Sequence, residues 1–366
     1  MRTQRELNIG LRRSQTCMMS GSPGFTFRGP VVASWKVVMV KRSDRNRKEA
    51  TMRILVVGAG AVGGYFGGRL VAAGRDVTFL VRDGRAAALA RDGLLIRSPR
   101  GDLTLANVQT VRAGDAGAGV APFDLVLLSC KAYSLDDAIA SFAPFVGPQT
   151  LILPMLNGMR HLDVLRERFG AAQVLGGLCV IAATLDREQR IVHLNDTHGV
   201  SFGELAGGES PRVRAVADVL GGAGFDATLS DDIAARMWDK WVFLATLAAS
   251  TSLFRGSIGD ILAAPDGRRL LETMLAECSA IAEHNGHRPD PAASERMQRM
   301  VLTPSPLTAS MLRDVENHAR VEADHVIGDL LARRDPQATD TLSLLRIAYN
   351  HLKTYEVRTA REHAAA

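Results

Sequence analysis

Apolar residues are spaced in two ways along this chain. From Met52 to about Ser230 they come in short runs that alternate with helical stretches; past Asp231 they recur every three to four residues and strand signals stop. In the first part, Ile54-Leu55-Val56-Val57, Asp76 to Val81, Asp124 to Ser129 and Thr150 to Pro154 are near-continuous apolar runs, as expected of parallel strands buried on both faces. Leu178 to Thr184, Arg190 to His193, Gly199 to Phe202 and Phe225 to Leu229 are shorter strand candidates, and Pro211 to Leu220 is a helix opened by proline. In the second part the periodicity predicts helices over Ile233 to Leu253, Arg268 to Asn285, Leu307 to Arg333 and Leu342 to Tyr355. The pattern is that of an α/β domain over residues 52–230 followed by an all-helical domain over 231–366, with the active site in the cleft between them.

The first strand ends in Gly58-Ala59-Gly60-Ala61-Val62-Gly63, and Gly64 to Ala73 continues as a helix of small and apolar residues. Gly-x-Gly-x-x-Gly between a strand and a helix is the fingerprint of a Rossmann-type dinucleotide-binding unit. Its first glycine makes the tight turn, the second lets a pyrophosphate approach the backbone, and the third lets the helix pack on the sheet. The anion then lies at the helix N-terminus. The second strand ends at Arg82, followed by Asp83. An acid at this position would bond the ribose hydroxyl of NAD, whereas arginine can pair with the 2′-phosphate of NADP, so the order favours NADP.

Charge narrows the partners. The net charge of +5 arises ahead of Met52: residues 1–51 hold 11 Lys/Arg and 3 Asp/Glu, leaving 33 basic and 36 acidic side chains for the rest. The body of the chain therefore lacks the basic stripe of a nucleic-acid binder. Residues 1–51 show no periodicity and are expected to be a disordered extension or a mis-assigned start. The longest uncharged apolar stretch, Trp241 to Phe254, is too short and too polar to span a bilayer. Four scattered cysteines without metal-ligand spacing read as single reduced thiols of a cytoplasmic protein with no metal site.

Two polar residues follow apolar strands, where open α/β sheets bind ligands: Lys131 after Leu125 to Cys130, and Asn157 after Leu151 to Leu156. Taken alone, Lys131 could equally be a solvated loop lysine and Asn157-Gly158 an ordinary turn. In the helical half Lys240 stands among Met237, Trp238, Trp241, Val242 and Phe243. It is either a snorkelling surface lysine or a desolvated one whose lowered pKa suits proton transfer. Glu322 is a candidate carboxylate partner, on the same predicted helix as Ser310 and Asp314.

In order, these elements are the glycine turn, Leu-Ser-Cys-Lys131-Ala, Leu-Asn157-Gly158-Met, Met-Trp-Asp-Lys240, and Ser310-Met-Leu-Arg-Asp314 with Glu322 eight residues later. This order resembles the ketopantoate reductase family, the 2-dehydropantoate 2-reductases, from Met52 to about Tyr355. The resemblance implies a helical domain like that of 6-phosphogluconate dehydrogenase. It implies an NADP site at Gly58, Ala59, Gly60, Ala61, Val62 and Gly63, with Arg82 on the 2′-phosphate and Lys131, Asn157, Ala183 and Glu322 along the cofactor. Lys240 would be the general acid, Asn157, Ser310 and Asp314 substrate ligands, and Glu322 a catalytic residue orienting the cleft.

The implied reaction is NADPH-dependent reduction of a 2-oxo acid to a 2-hydroxy acid, ketopantoate to pantoate on the route to pantothenate. The family pattern places asparagines four, eight and about eighteen residues after the lysine, where this chain has Leu244, Ala248 and Ile258. Each lost charge-assisted bond costs roughly 1 to 3 kcal/mol. The alternatives are therefore a reductase of a less polar 2-oxo acid or ketone, and, from another class, a non-catalytic NADP-binding sensor. The partner set is a small 2-oxo acid, no nucleic acid and no membrane, with a homodimer as the candidate assembly.

Overall fold

The run Arg53–Val57 forms β1, and its side chains divide by parity: Ile54 and Val56 enter one core, Leu55 and Val57 the other. The computed structural model describes residues 52–117, 119–337 and 342–364, so the expectation for residues 1–51 lies outside the described residues. From β1 the chain passes into α1 (Ala61–Ala72), β2 (Asp76–Leu80), α2 (Asp83–Asp92), β3 (Leu94–Arg97), β4 (Leu103–Leu105) and β5 (Gln109–Val111). Next come β6 (Phe123–Leu128), α3 (Leu135–Phe142), β7 (Val146–Pro154), α4 (Arg160–Phe169), β8 (Gly176–Leu185), β9 (Ile191–Gly203), α5 (Pro211–Leu220) and β10 (Asp226–Leu229).

Strands β5-β2-β1-β6-β7 make one parallel sheet in that order. The strand order reverses between β1 and β6, and a crevice opens there beyond the strands' carboxyl ends. A second sheet runs β10-β9-β3-β4, with β8 antiparallel on the other side of β9. Helix α1 lies between the sheets, which explains its composition. A Cβ on Gly67 would meet the Phe79 ring at 2.6 Å, and one on Gly68 would meet Leu94 at 2.8 Å.

Only helices follow β10 among the described residues: α6 (Ile233–Phe254), α7 (Ile258–Ala263), α8 (Gly267–His284), α9 (Pro291–Leu302), α10 (Ser310–Glu316), α11 (Asp329–Ala332) and α12 (Leu344–Ala364). No helix of the described residues is long and apolar enough to cross a membrane. The core does not stop where the strands do. Leu55, Val126 and Ile152 of the sheet share one apolar cluster with Trp238, Trp241, Leu271 and Ile327 of the helices. Strand pattern and helical pattern thus meet across a common interior.

Two elements differ from the sequence expectation. The candidates at 190–193 and 199–202 are one 13-residue strand, β9, which pairs with β3 early and β10 late. The helix expected over 307–333 is broken. After α10 the chain turns at His318, with φ +54° and Ala319 N bonded to Asp314 O at 2.8 Å. It resumes at Ala323 with a wide π turn over Asp324–Gly328 before α11. The periodicity conceals the break because both pieces bury apolar faces: Met311, Leu312 and Val315 before it, Val326, Ile327 and Leu330 after it. Glu322 is therefore not on one helix with Ser310 and Asp314. It stands in the link between helices.

Candidate active site

At the carboxyl edge of the parallel sheet, Gly58 turns the chain with φ +90° and Gly60 caps α1 without a side chain. Gly63 packs so closely that a Cβ would lie 2.2 Å from Ser129 Oγ and 2.4 Å from Gly58 O. In front of Gly60 nothing comes within 4 Å of where a Cβ would stand, and the first turn of α1 carries no acid. Open space before free N–H groups at a helix N-terminus fits a pyrophosphate. Arg82, exposed, is the N-cap of α2 just past β2, where a 2′-phosphate is read.

Arg85 was not singled out by sequence. It reaches back from α2 to donate to Ala59 O at 3.1 Å and to Gln189 at the β8–β9 turn, tying that hairpin to the glycine loop. Ala183 lies on β8 past a register shift, opposite His193. Four residues of extended strand, about 13 Å, separate it from Cys179.

Two lysines stand in different surroundings. Lys131 follows β6 and donates to Asp314 Oδ2 and Glu322 Oε2, each at 3.2 Å. The other oxygen of Glu322 accepts from Ala132 N at 2.9 Å. The break before Ala323 lets the 9%-exposed Glu322 clamp the Rossmann half this way. Burial pulls the Lys131 pKa down, but the Glu322 and Asp314 carboxylates outweigh it and leave the value raised. Lys131 is thus paired rather than freely solvated.

Lys240 comes from the middle of α6. Its Nζ donates to Asn157 Oδ1 at 3.1 Å and to Cys179 O on β8 at 2.8 Å. The residue as a whole is only part-buried, yet its ammonium is desolvated. Burial holds its pKa below the ordinary lysine value, although Cys179 and Glu322 pull the other way. Lys240 does not snorkel: both its acceptors are neutral protein oxygens. Sequence reading missed Cys179 because its part is played by a backbone carbonyl, which leaves no residue-type signal.

Asn157, Ser310, Asp314 and Glu322 line one narrow cleft together with Leu244, Ala248, Ala309, Met311 and Val326. Leu244 and Ala248 follow Lys240 at helical spacing on α6, so the lysine is continued along the helix by apolar lining residues. Ile258 is elsewhere, fully buried in the helical core. No group of three or more His, Cys, Asp or Glu side chains among the described residues could hold a metal ion.

A parallel-sheet dinucleotide fold, a glycine turn open to a pyrophosphate and a cleft whose polar lining is bonded to two lysines define an NAD(P)-dependent oxidoreductase. The family models "Ketopantoate reductase PanE/ApbA" and "Ketopantoate reductase PanE/ApbA C terminal" match residues 54–207 and 232–356. The chain belongs to the ketopantoate reductase family, oxidoreductases that act on a CH–OH group and use NADPH. It is 38% identical over 306 residues to the uncharacterized oxidoreductase YkpB of Bacillus subtilis (strain 168), covering 83% of this chain and 99% of that protein. It is 28% identical to the 2-dehydropantoate 2-reductase of Mesorhizobium japonicum, covering 81% and 97% respectively. The crystal structure of 2-dehydropantoate 2-reductase from Geobacter metallireducens GS-15 superposes with a TM-score of 0.73 at 26% identity, covering 83% of this chain and 99% of that one.

Proposed function

We propose that this protein reduces a 2-oxo acid to the 2-hydroxy acid with NADPH, and that 2-dehydropantoate to pantoate is the named reaction to test first. The observation that carries the proposal is the Lys240 ammonium, buried and held by Cys179 O and by Asn157 Oδ1, a residue that lines the cleft. NADPH, when bound, supplies the hydride. Lys240 holds a proton at Nζ and releases it to the carbonyl oxygen of the substrate, and desolvation makes that release easier at neutral pH. Asn157 and the Cys179 carbonyl fix the direction of Nζ. Glu322, through Lys131 and Ala132 N, keeps the helical half against the end of β6, while Ser310 and Asp314 supply polar contacts at the cleft. The backbone N–H groups from Gly60 to Gly63 would hold the pyrophosphate and Arg82 the 2′-phosphate.

One observation favours a second reading within the same chemistry. Leu244, Ala248, Met311 and Val326 give the cleft an apolar side, which suits a less polar 2-oxo acid or ketone. Purified protein is tested by NADPH absorbance with ketopantoate and a series of 2-oxo acids of increasing apolar bulk. Turnover is expected, with a raised KM for ketopantoate and better use of a bulkier acid. Leu244→Asn together with Ala248→Asn is expected to improve ketopantoate use. Efficient ketopantoate turnover at micromolar KM by the parent protein would overturn the apolar preference. NADPH binding without turnover of any acid in the series would favour the sensor reading instead.

A further inference from the structure

Beneath the Asn157-Gly158 turn lie two histidines that the proposed reduction does not use. His161, on the first turn of α4, and His325, in the π turn, are 0% and 7% exposed. Their rings stack at 5.4 Å, with His161 Nδ1 3.2 Å from His325 Nε2. The other nitrogen of His161, Nε2, is buried and meets no hydrogen-bond partner. The Asn157 backbone also acts on the His325 ring in the sense that favours its protonation, as a facing carbonyl does.

These contacts select the tautomers. If His325 donated from Nε2, its bare Nδ1 would face a carbonyl and His161 would bury an unpaired N–H. The opposite arrangement suits both: His161 Nδ1–H donates to His325 Nε2, and His325 presents Nδ1–H, not a bare nitrogen, toward the Asn157 carbonyl. The turn is also seated directly on this pair. Gly158 has φ +76°, and a Cβ there would lie 2.8 Å from His325 O and 3.0 Å from its Cδ2.

We propose that His161 and His325 are positioning residues, a buried hydrogen-bonded pair that holds the Asn157-Gly158 turn so that Asn157 Oδ1 meets the Lys240 ammonium. The proposal rests on the reading of Lys240 as proton donor. The π turn makes the arrangement possible, since one short stretch serves three tasks. Glu322 clamps Lys131, His325 supports Asn157, and Val326 O accepts the Trp241 indole N–H at 2.8 Å, next to Lys240 on α6. Charges facing the pair are Lys240 toward His161, and Glu322, Asp329 and Arg160 toward His325. Burial first, then the facing His325 and Lys240, hold His161 neutral, so its Nε2 stays a lone pair.

The test uses the whole chain and reads Lys240 directly. Competitive acetic anhydride labelling across a pH series, read by mass spectrometry, gives a titration midpoint for Lys240, with Lys131 and Lys353 as references. In His161→Leu the midpoint is expected to fall by about one unit, since the ammonium loses one of two oxygen acceptors. The kcat with a 2-oxo acid substrate should fall on the order of tenfold while NADPH affinity holds. His161→Asn, which offers an amide N–H where Nδ1–H stood, should restore both. Should His161→Leu fail to fold, His325→Gln gives the same reading, because it can accept from His161 but loses the Asn157 contact. An unchanged or raised Lys240 midpoint, or equal losses in the Leu and Asn variants, would overturn the proposal. Lys240→Ala in the same kinetic assay judges the function separately: retained turnover would remove the proton-donor reading, while the labelling still decides the histidines.

Discussion

Lys131, from the sheet, and Lys240, from α6, bond different residues of one cleft's lining and differ in nearly everything but residue type. On the sheet side, Lys131 keeps 44% of its side chain exposed and faces two carboxylates. On the helical side, Lys240 is desolvated and faces an amide and a peptide carbonyl. Ionic partners raise the first pKa against burial, and burial lowers the second against weaker pulls. A cation held by carboxylates is a strut, since releasing its proton would leave those charges unpaired. One held by neutral oxygens can give its proton away. On the proposed function, the contrast puts cohesion on the sheet side and proton transfer on the helical side.

The sharpest way to break the contrast is Lys240→Ala, expected to lower kcat by a factor on the order of 100 or more while leaving NADPH affinity nearly unchanged. A variant with normal kcat would end the assignment of chemistry to this side. The pH dependence sharpens it further. Since Lys240 must be protonated to serve as acid, carbonyl reduction should decline as pH rises through its pKa, by about tenfold per unit beyond it. That limb should lie below the ordinary lysine value of about 10.4, and oxidation of the 2-hydroxy acid should show the opposite trend. A reduction rate that climbs through this range would contradict the sign.

Lys131→Ala should act differently. It leaves Asp314 and Glu322 without their cation, so we expect kcat/KM to fall about tenfold and the Tm to drop by a few degrees, with the Lys240 pH limb moving upward if it moves, since Glu322 already pulls that way. A downward shift of that limb would contradict the pull of Glu322 on Lys240. The smallest effect concerns the far end of the crevice, where Arg82 is exposed and its pairing with a 2′-phosphate would be screened by solvent. Arg82→Ala should narrow the preference for NADPH over NADH by about five- to tenfold. Equal or tighter NADH binding by the parent protein, measured by titration, would refute the placement of Arg82.

What could be read along the chain was whatever a few neighbouring residues decide together. Strand β1, the turn at Gly58 and the opening of α1 are set by local sterics and hydrogen bonding, so their residue types announce them. Polar residues at strand ends were legible for the same reason, since the carboxyl edge of a parallel sheet is where such side chains meet a ligand. The line of Lys240, Leu244 and Ala248 follows from helical spacing alone.

Tertiary structure decided the rest. Periodicity ran through the break at residues 317–322 because burial selects apolar faces, not continuous backbone, and only the break frees Glu322 to reach Lys131 and Ala132. The partner of Lys240 on β8 is a carbonyl that every residue possesses, so no residue type could mark it. His161 and His325 are 164 positions apart, and nothing local to either shows that they share a hydrogen bond. The sequence by itself determined the dinucleotide fold and the residues able to carry charge. Packing of α6 and the π turn against the carboxyl edge of the sheet determined their protonation, because a pKa is set by solvent exclusion and by the charges folding brings near.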